Sequence, residues 1–326
     1  MSPQESSSES TLQAKNISQV AWAELRSKPI LFYGGIAAAI TLDILLFSVM
    51  LDRDWGDAIE SLFLPWLPLF LWYVHTAAKA RKRFWQLVAE KKGWSYAETD
   101  DVSDEEALFL NTGHSHSISN MISGTEDSIP VRAFESMYTV GSGKNKQTYT
   151  FSCFAFRFEG SFPHLYLNRN DNQVSFISNR EYQIPLPGEF GEKFTLYAPK
   201  EYEIEALQIF TPDLLEYLLQ TNWLSDIEFV DHEFIVFRKG FISSYDEFTT
   251  ELASASKIAS RFADTLQRMQ FAPIPHTSHL LRDATDRQAL RGMIHAWPKW
   301  LSFVVAAALV IMVMYWAYLM TELLGL

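Results

Sequence analysis

The chain has 326 residues, of which 48% are hydrophobic and 14% aromatic, and its 39 acidic side chains outnumber its 27 basic ones, giving a net charge of -12. Such a chain is too apolar to be disordered and too acidic to bind nucleic acid. Its single cysteine excludes an internal disulfide, and with it a disulfide-stapled secreted fold.

Apolar segments long enough to cross a bilayer follow a polar N-terminal segment, residues 1–29, and recur near the other end of the chain. Residues 30–51 would span about 33 Å as a helix, which is enough for the hydrocarbon core. Residues 58–78 contain two prolines and predict a kinked second span, with a re-entrant or interfacial segment as the alternative. Residues 300–320 carry no charge and predict a third transmembrane helix.

Charged residues beside these segments predict their orientation. The loop after the first span is acidic, with Asp52, Asp54 and Asp57. Basic residues follow the second span and precede the third: Lys79, Arg81, Lys82, Arg83, Lys91, Lys92, Arg282, Arg287, Arg291 and Lys299. Because basic flanks stay cytoplasmic, the chain is predicted to be a multi-pass protein of the inner (plasma) membrane whose large middle domain is cytoplasmic.

The middle of the chain divides by charge. We predict a basic helical stalk at 79–92, an acidic domain at 93–270, and a linker with a basic collar at 271–299. Between Gly93 and Leu281 there are 27 acidic and 13 basic side chains. Anionic lipid head groups should repel such a domain and attract its basic flanks.

Within this domain the pattern favours an α+β fold with a mixed or antiparallel sheet. A helix over 77–92 is predicted to end at Gly93. Alternating polarity and turn residues predict strands at 131–140, 148–158, 164–168, 174–178 and 194–198. A helix beginning at Glu201 is predicted to break at Thr211-Pro212. Two further strands, 226–230 and 233–237, are predicted to form a hairpin through Asp231-His232.

The last predicted helix of the domain has a heptad seam. Its apolar residues recur at alternating spacings of three and four: Tyr245, Phe248, Leu252, Ala255, Ala259, Phe262, Leu266 and Met269. The small residues at its centre favour packing against the sheet, and a homodimeric coiled coil is the alternative.

Few residues carry a signature of chemistry. His114 and His116 would lie on the same face of a strand and could provide two metal ligands, but a polar sheet edge or loop is the favoured explanation, because no Cys, Asp or His at ligand spacing lies close by in sequence. The turn from Gly141 to Lys144 lacks the spacing of a phosphate-binding loop and reads as a hairpin turn. Cys153 reads as a small buried apolar residue. No catalytic or cofactor-binding motif occurs, so no catalytic residue and no cofactor is predicted.

Asp43 is the one acidic residue within the first predicted span, about 20 Å along the helix. A lone carboxylate there costs about 2.5 to 3.5 kcal/mol on insertion scales, so its side chain should face protein and find a donor. Trp66 and Tyr315 are the partners of matching depth. A structural role, as a hydrogen bond between helices or a protonated acid, is favoured over a proton or ion relay, because the chain has only three predicted spans.

Several short segments resemble a group of uncharacterised bacterial membrane proteins. Besides the two N-terminal spans, they are Gly93-Trp94, the stretch 113–124 with Asn120, the Gly-Lys turn at 143–144, residues 189–194, and residues 210–214. The resemblance extends from the second span to Asp231. It implies a membrane setting with a cytoplasmic α+β domain, and it assigns no catalytic residue.

The sequence thus favours a non-enzymatic membrane protein whose acidic domain binds a protein partner, a small ligand or a second copy of the chain. A membrane-tethered enzyme acting on a lipid-linked or cytoplasmic substrate is one alternative. An oligomeric channel or transport component built around Asp43 is the other. A deep polar pocket would favour the enzyme, whereas an exposed apolar surface would favour binding.

Overall fold

The computed structural model describes residues 16–50, 64–100, 107–143, 146–171, 176–177 and 180–268. The first part of the predicted second span, the predicted linker and the predicted third span lie outside these residues. Their predicted structures therefore stay predictions.

The described helices are α1 (Ile17–Arg26), α2 (Pro29–Met50), α3 (Leu67–Lys92), α4 (Leu108–Asn111), α5 (Gly188–Lys193), α6 (Glu203–Ile209), α7 (Pro212–Gln220) and α8 (Tyr245–Arg268). Three short 3-10 turns accompany them, at Leu64–Trp66, Arg180–Tyr182 and Lys200–Tyr202. As predicted, Gly93 ends α3 in the left-handed conformation, with φ of 68°. The predicted break at Thr211-Pro212 separates α6 from α7.

The described strands form one seven-stranded antiparallel sheet. They are β1 (Ser95–Asp100), β2 (His114–Glu126), β3 (Ile129–Val140), β4 (Gln147–Arg169), β5 (Gln183–Ile184), β6 (Phe194–Tyr197) and β7 (Asp226–Lys239). The order is β1-β2-β3-β4-β6-β5, and β7 pairs with β4. The predicted α+β class with an antiparallel sheet and packed helices is confirmed.

The predicted hairpin at Asp231-His232 is wrong. Residues 226–239 form the single strand β7, and both of its halves pair with β4. Asp231 adopts a positive φ of 51°, and Gly160 in β4 has a φ of 106° where the register between the two strands shifts. The turn-forming residues therefore do not reverse the chain. They lie where the paired strands β4 and β7 both bend. For the same reason the separate strands predicted at 148–158 and 164–168 are one strand.

The sheet carries a hydrophobic core on each face. One core is formed with α1, α3, α6, α7 and α8. The seam of α8 belongs to it, since Phe248, Leu252, Ala255, Ala259 and Phe262 are all buried. The seam is therefore used within the chain, as the core-packing interpretation predicted. The other face is covered by the segment around α4 and by Phe176 and Ile177. A strand was predicted at 174–178, but these two residues do not form one.

Six of the described helices and strands were not predicted, namely α1, α4, α5, β1, β2 and β5. Helix α1 begins at Asn16, whose side chain accepts from the Ser18 amide, while the Gln19 side chain accepts from the Asn16 amide. This capping box was legible in the sequence. Strands β1 and β2 have a weaker signal, because β2 is rich in serine and breaks its alternation at two register shifts.

Candidate functional site

Exposed apolar side chains concentrate on two neighbouring elements, α2 and the start of α3. Of the fifteen large apolar side chains exposed within the described residues, ten lie there: Ile30, Leu31, Tyr33, Leu42, Ile44, Leu45, Leu67, Phe70, Leu71 and Val74. We call this set the apolar helical surface. Exposed apolar side chains clustered in this way are typical of surfaces that contact lipid or protein.

Taken singly, none of the described helices has both the length and the apolar character needed to cross a membrane. One pair, Ile17–Arg26 with Pro29–Leu45, passes together on length and composition and is bent by 88°.

Helix α1 is fastened to the domain at one end and to the apolar helices at the other. The Ile17 amide donates to the Ser243 carbonyl over 2.8 Å, and Ala21 and Leu25 are buried. The Trp22 ring lies 4.9 Å from that of Tyr73 in α3. The helix thus holds the entry to α2 against α3.

Asp43 contacts one of its two expected partners. Trp66 Nε1 donates to Asp43 Oδ2 over 2.7 Å, which joins α2 to the turn before α3. The other carboxylate oxygen, Oδ1, is buried and accepts no hydrogen bond within the described residues. Gly35 brings the helices close, since a Cβ atom there would lie 2.9 Å from Leu69 Cδ2. The other expected partner, Tyr315, lies outside the described residues.

A buried carboxylate joins α3 to the sheet. Glu135 of β3 pairs with Arg81 and accepts from Trp85 Nε1 over 2.9 Å at the same oxygen. Its other oxygen accepts from Asn120 Nδ2 over 2.9 Å, and Tyr96 donates to the Asn120 carbonyl oxygen. We call these five residues the Glu135 network. Both carboxylate oxygens are satisfied, so the network suits a rigid joint.

The backbone conformation of β2 places the Asn120 side chain next to Glu135. Asn120 has a positive φ of 54° and lies where the register between β2 and β3 shifts. Asparagine tolerates this conformation better than most residues. Burial raises the pKa of Tyr96, and the nearby carboxylates of Glu98 and Glu135 raise it further, so its hydroxyl stays a hydrogen-bond donor.

The basic segment predicted as a stalk is part of the folded domain. Phe84, Trp85 and Val88 are buried in the core. Lys82 pairs with Glu98, and Lys92 pairs with Glu126 at 2.9 Å. Other basic side chains of α3 stay exposed, namely Lys79, Arg83 and Lys91. Part of the positive charge next to the apolar helical surface thus binds the acidic domain.

The second face of the sheet buries a pair of acidic residues among aromatic rings. Glu228 Oε1 accepts from the Leu108 amide and lies 2.7 Å from His164 Nε2. Glu228 Oε2 is buried and has no hydrogen-bond partner within the described residues. Asp226 accepts from the Tyr166 hydroxyl and the Arg169 amide. These contacts fix the loop before α4 and the end of β4 to the sheet.

Cys153 is buried on this same face, as predicted. Burial raises the pKa of its thiol well above the usual value, and the carboxylates of Glu135 and Glu228 add to the shift. Since the thiolate is the reactive form, this position suits a packing role and not a nucleophile.

The two candidate metal ligands have different surroundings. Ser115 between them has a φ of 57°, which breaks the strand alternation assumed for the pair. His114 is exposed and lies 2.8 Å from the Gly141 carbonyl oxygen, whereas the His116 ring stacks on Tyr138. Burial lowers the pKa of His116. No three His, Cys, Asp or Glu side chains of the described residues are grouped as metal ligands.

The turn after β3 has the predicted form. Gly141 and Gly143 both adopt positive φ, of 79° and 59°, between the antiparallel strands β3 and β4. It is therefore a hairpin turn, and the phosphate-loop interpretation is not supported.

A smaller exposed apolar patch lies on α6. Ile204 and Leu207 are 70% and 44% exposed and lie three residues apart, on the same face of the helix. Glu201, Glu203 and Glu205 surround them in sequence. An apolar pair among carboxylates suits contact with a partner that is both apolar and basic.

Sequence reasoning identified Asp43 and Trp66 but not the Glu135 network or the acidic pair of the second face. A glutamate in a strand is usually exposed, and only the fold brings Arg81 and Trp85 opposite Glu135. Their spacing of four in α3, which puts both on one helix face, was the available signal.

No protein-family model and no curated protein matches the chain. Among solved structures, the crystal structure of the mycobacterial trehalose monomycolate transport factor A is similar, with a TM-score of 0.41 and 11% sequence identity. The similarity covers 60% of this chain and 96% of that one. It concerns only the course of the backbone.

Proposed function

We propose that the chain is a multi-pass protein of the inner (plasma) membrane whose acidic α+β domain is a cytoplasmic interaction module. The observation that carries the membrane placement is the apolar helical surface. Its side chains would lie within the bilayer, and the exposed basic side chains of α3 that follow it would meet the head groups. The resemblance to uncharacterised bacterial membrane proteins agrees with this proposal.

The Glu135 network would fix the orientation of the domain relative to the membrane. It joins α3, which would leave the bilayer, to the central strand β3 through buried contacts of Arg81 and Trp85. The domain would then be held at a fixed angle to the membrane and not on a flexible tether. A partner that binds the domain would be positioned relative to the bilayer.

Membrane extraction tests the placement. The full chain is expressed, and isolated membranes are washed with alkaline carbonate. We expect the protein to stay in the membrane pellet. Phe70→Asp should reduce the inserted amount, because a carboxylate in the hydrocarbon costs about 2.5 to 3.5 kcal/mol. Ile204→Asp is the matched control, since Ile204 is 70% exposed and Phe70 61%. Release of the wild-type chain by carbonate would contradict the placement.

The interaction role is carried by the patch on α6. We propose a partner segment that presents apolar side chains flanked by lysine or arginine, because Ile204 and Leu207 lie among carboxylates. A fluorescent basic amphipathic peptide is the probe, with the full chain in detergent. We expect binding that weakens with salt and is lost in Ile204→Glu. An equal affinity for an acidic peptide of the same apolar content would contradict the proposal.

A further inference from the structure

We propose that residues 300–320 form a third helix that docks on the apolar helical surface, and that Tyr315 donates a hydrogen bond to Asp43. The docking rests on the membrane placement proposed above. It names the occupant of a surface that is exposed in the described part of the chain, and it gives Asp43 a structural role.

Within the described residues, the carboxylate of Asp43 has a hydrogen-bond donor at only one of its two oxygens. Trp66 supplies one donor, at Oδ2, and Oδ1 is buried with no hydrogen bond from the described residues. A carboxylate in an apolar environment needs donors at both oxygens, because each missing hydrogen bond leaves the cost of removing that oxygen from water. A further donor at the right depth would remove that cost.

The start of α3 presents an exposed apolar face. Leu67, Phe70, Leu71 and Val74 follow the i, i+3, i+4, i+7 pattern, so they form one stripe, and each is at least 45% exposed. Such a stripe of large side chains suits a helix with small residues opposite. The segment 300–320 has three consecutive alanines, at 306–308, and no charge.

Asp43, Trp66 and Tyr315 would also lie at similar depths in the bilayer, counted at about 1.5 Å per residue from the proposed cytoplasmic boundary. Asp43 lies about 21 Å from Pro29, and Trp66 about 20 Å from Lys79. Tyr315 lies about 24 Å from Lys299, so a tyrosine side chain reaches the carboxylate. Running antiparallel to α3, the segment places its alanines at the level of Phe70 and Leu71.

Cysteine cross-linking in native membranes tests the docking. In the Cys153→Ser background, Leu71→Cys is combined with Ala308→Cys, and a short bis-maleimide is added. Both positions lie about 12 to 14 Å from the boundary. We expect a cross-link within one chain, seen as a shift in gel mobility without dimer formation. Leu71→Cys with Leu319→Cys is the control, since these depths differ by about 18 Å.

The outcomes separate the two proposals. Release of the chain by carbonate would overturn both the membrane placement and the docking. Retention in the membrane without the Leu71–Ala308 cross-link would overturn the docking alone. Cross-linked dimers of Leu71→Cys without a second cysteine would also overturn it, because a second copy would then occupy the stripe.

The hydrogen bond has its own readout in the same assay. We expect Tyr315→Phe to reduce the initial cross-linking rate about threefold, the effect that corresponds to an average hydrogen bond between membrane helices. Tyr318→Phe is the matched control and should leave the rate unchanged. In an Asp43→Leu background, Tyr315→Phe should have no further effect. Equal rates for Tyr315→Phe and Tyr318→Phe would overturn the contact with Asp43.

Discussion

Glu135→Leu removes the acceptor on which four side chains converge directly or through Asn120. The carboxylate is 1% exposed and accepts from Arg81, Trp85 and Asn120. Breaking a buried ion pair costs about 3 to 5 kcal/mol, because the other charge stays behind without a partner. Arg81 is one-quarter exposed, so water partly screens it, and we expect a loss of about 3 kcal/mol in the free energy of unfolding.

The assay is unfolding of the full chain in detergent by guanidinium chloride, followed by tryptophan fluorescence. The matched control is Glu98→Leu, which removes the exposed ion pair to Lys82 and should cost less than about 1 kcal/mol. Glu135→Gln should fall between the two, because it keeps an acceptor oxygen and loses the charge. The reasoning is refuted if Glu135→Leu costs no more than Glu98→Leu.

Three further predictions concern the sheet domain. Burial raises the pKa of Glu251 to about 7 despite the nearby Arg238 charge, with Glu247 adding to the shift. The folded state then binds more protons than the unfolded state between about pH 4.5 and 7. The free energy of unfolding should therefore fall by up to about 3 kcal/mol as the pH rises across that range. Glu251→Gln should abolish this slope in pH-dependent denaturation. Cys153 should resist maleimide at pH 8 until the chain is unfolded, and native labelling would contradict its burial. Gly113→Ala should lower the free energy of unfolding by more than about 1 kcal/mol, measured by thermal unfolding. The reason is that Gly113 has a φ of 79° and the new Cβ would lie 2.4 Å from the Thr139 carbonyl oxygen. An unchanged melting temperature would contradict this prediction.

Periodicity predicted the elements that bury a regular face. The seam of α8, the strand at 131–140 and the glycine that ends α3 all follow local rules, and the structure confirms them. The same rules failed where residues typical of a turn lie inside a continuous strand. Asp231-His232 has the composition of a hairpin turn, yet it bends β7 along β4.

The candidate site was predictable only where a residue differed in polarity from the segment around it. Asp43 is legible because a carboxylate is rare in an apolar helix, and counting residues led to Trp66. Glu135, Glu228 and Asp226 have no such contrast, because a strand with alternating polarity is expected to carry acidic residues on its exposed face. Their burial depends on which helix or loop covers the sheet, and that is decided by contacts distant in sequence.

The most direct test of the account is the side of the membrane on which the sheet domain lies. Ser142, exposed in the turn after β3, is replaced by cysteine in the Cys153→Ser background. Spheroplasts are treated with a membrane-impermeant maleimide before and after lysis. The account predicts labelling only after lysis. Labelling of intact spheroplasts would contradict it, since the domain would then lie outside the cytoplasm.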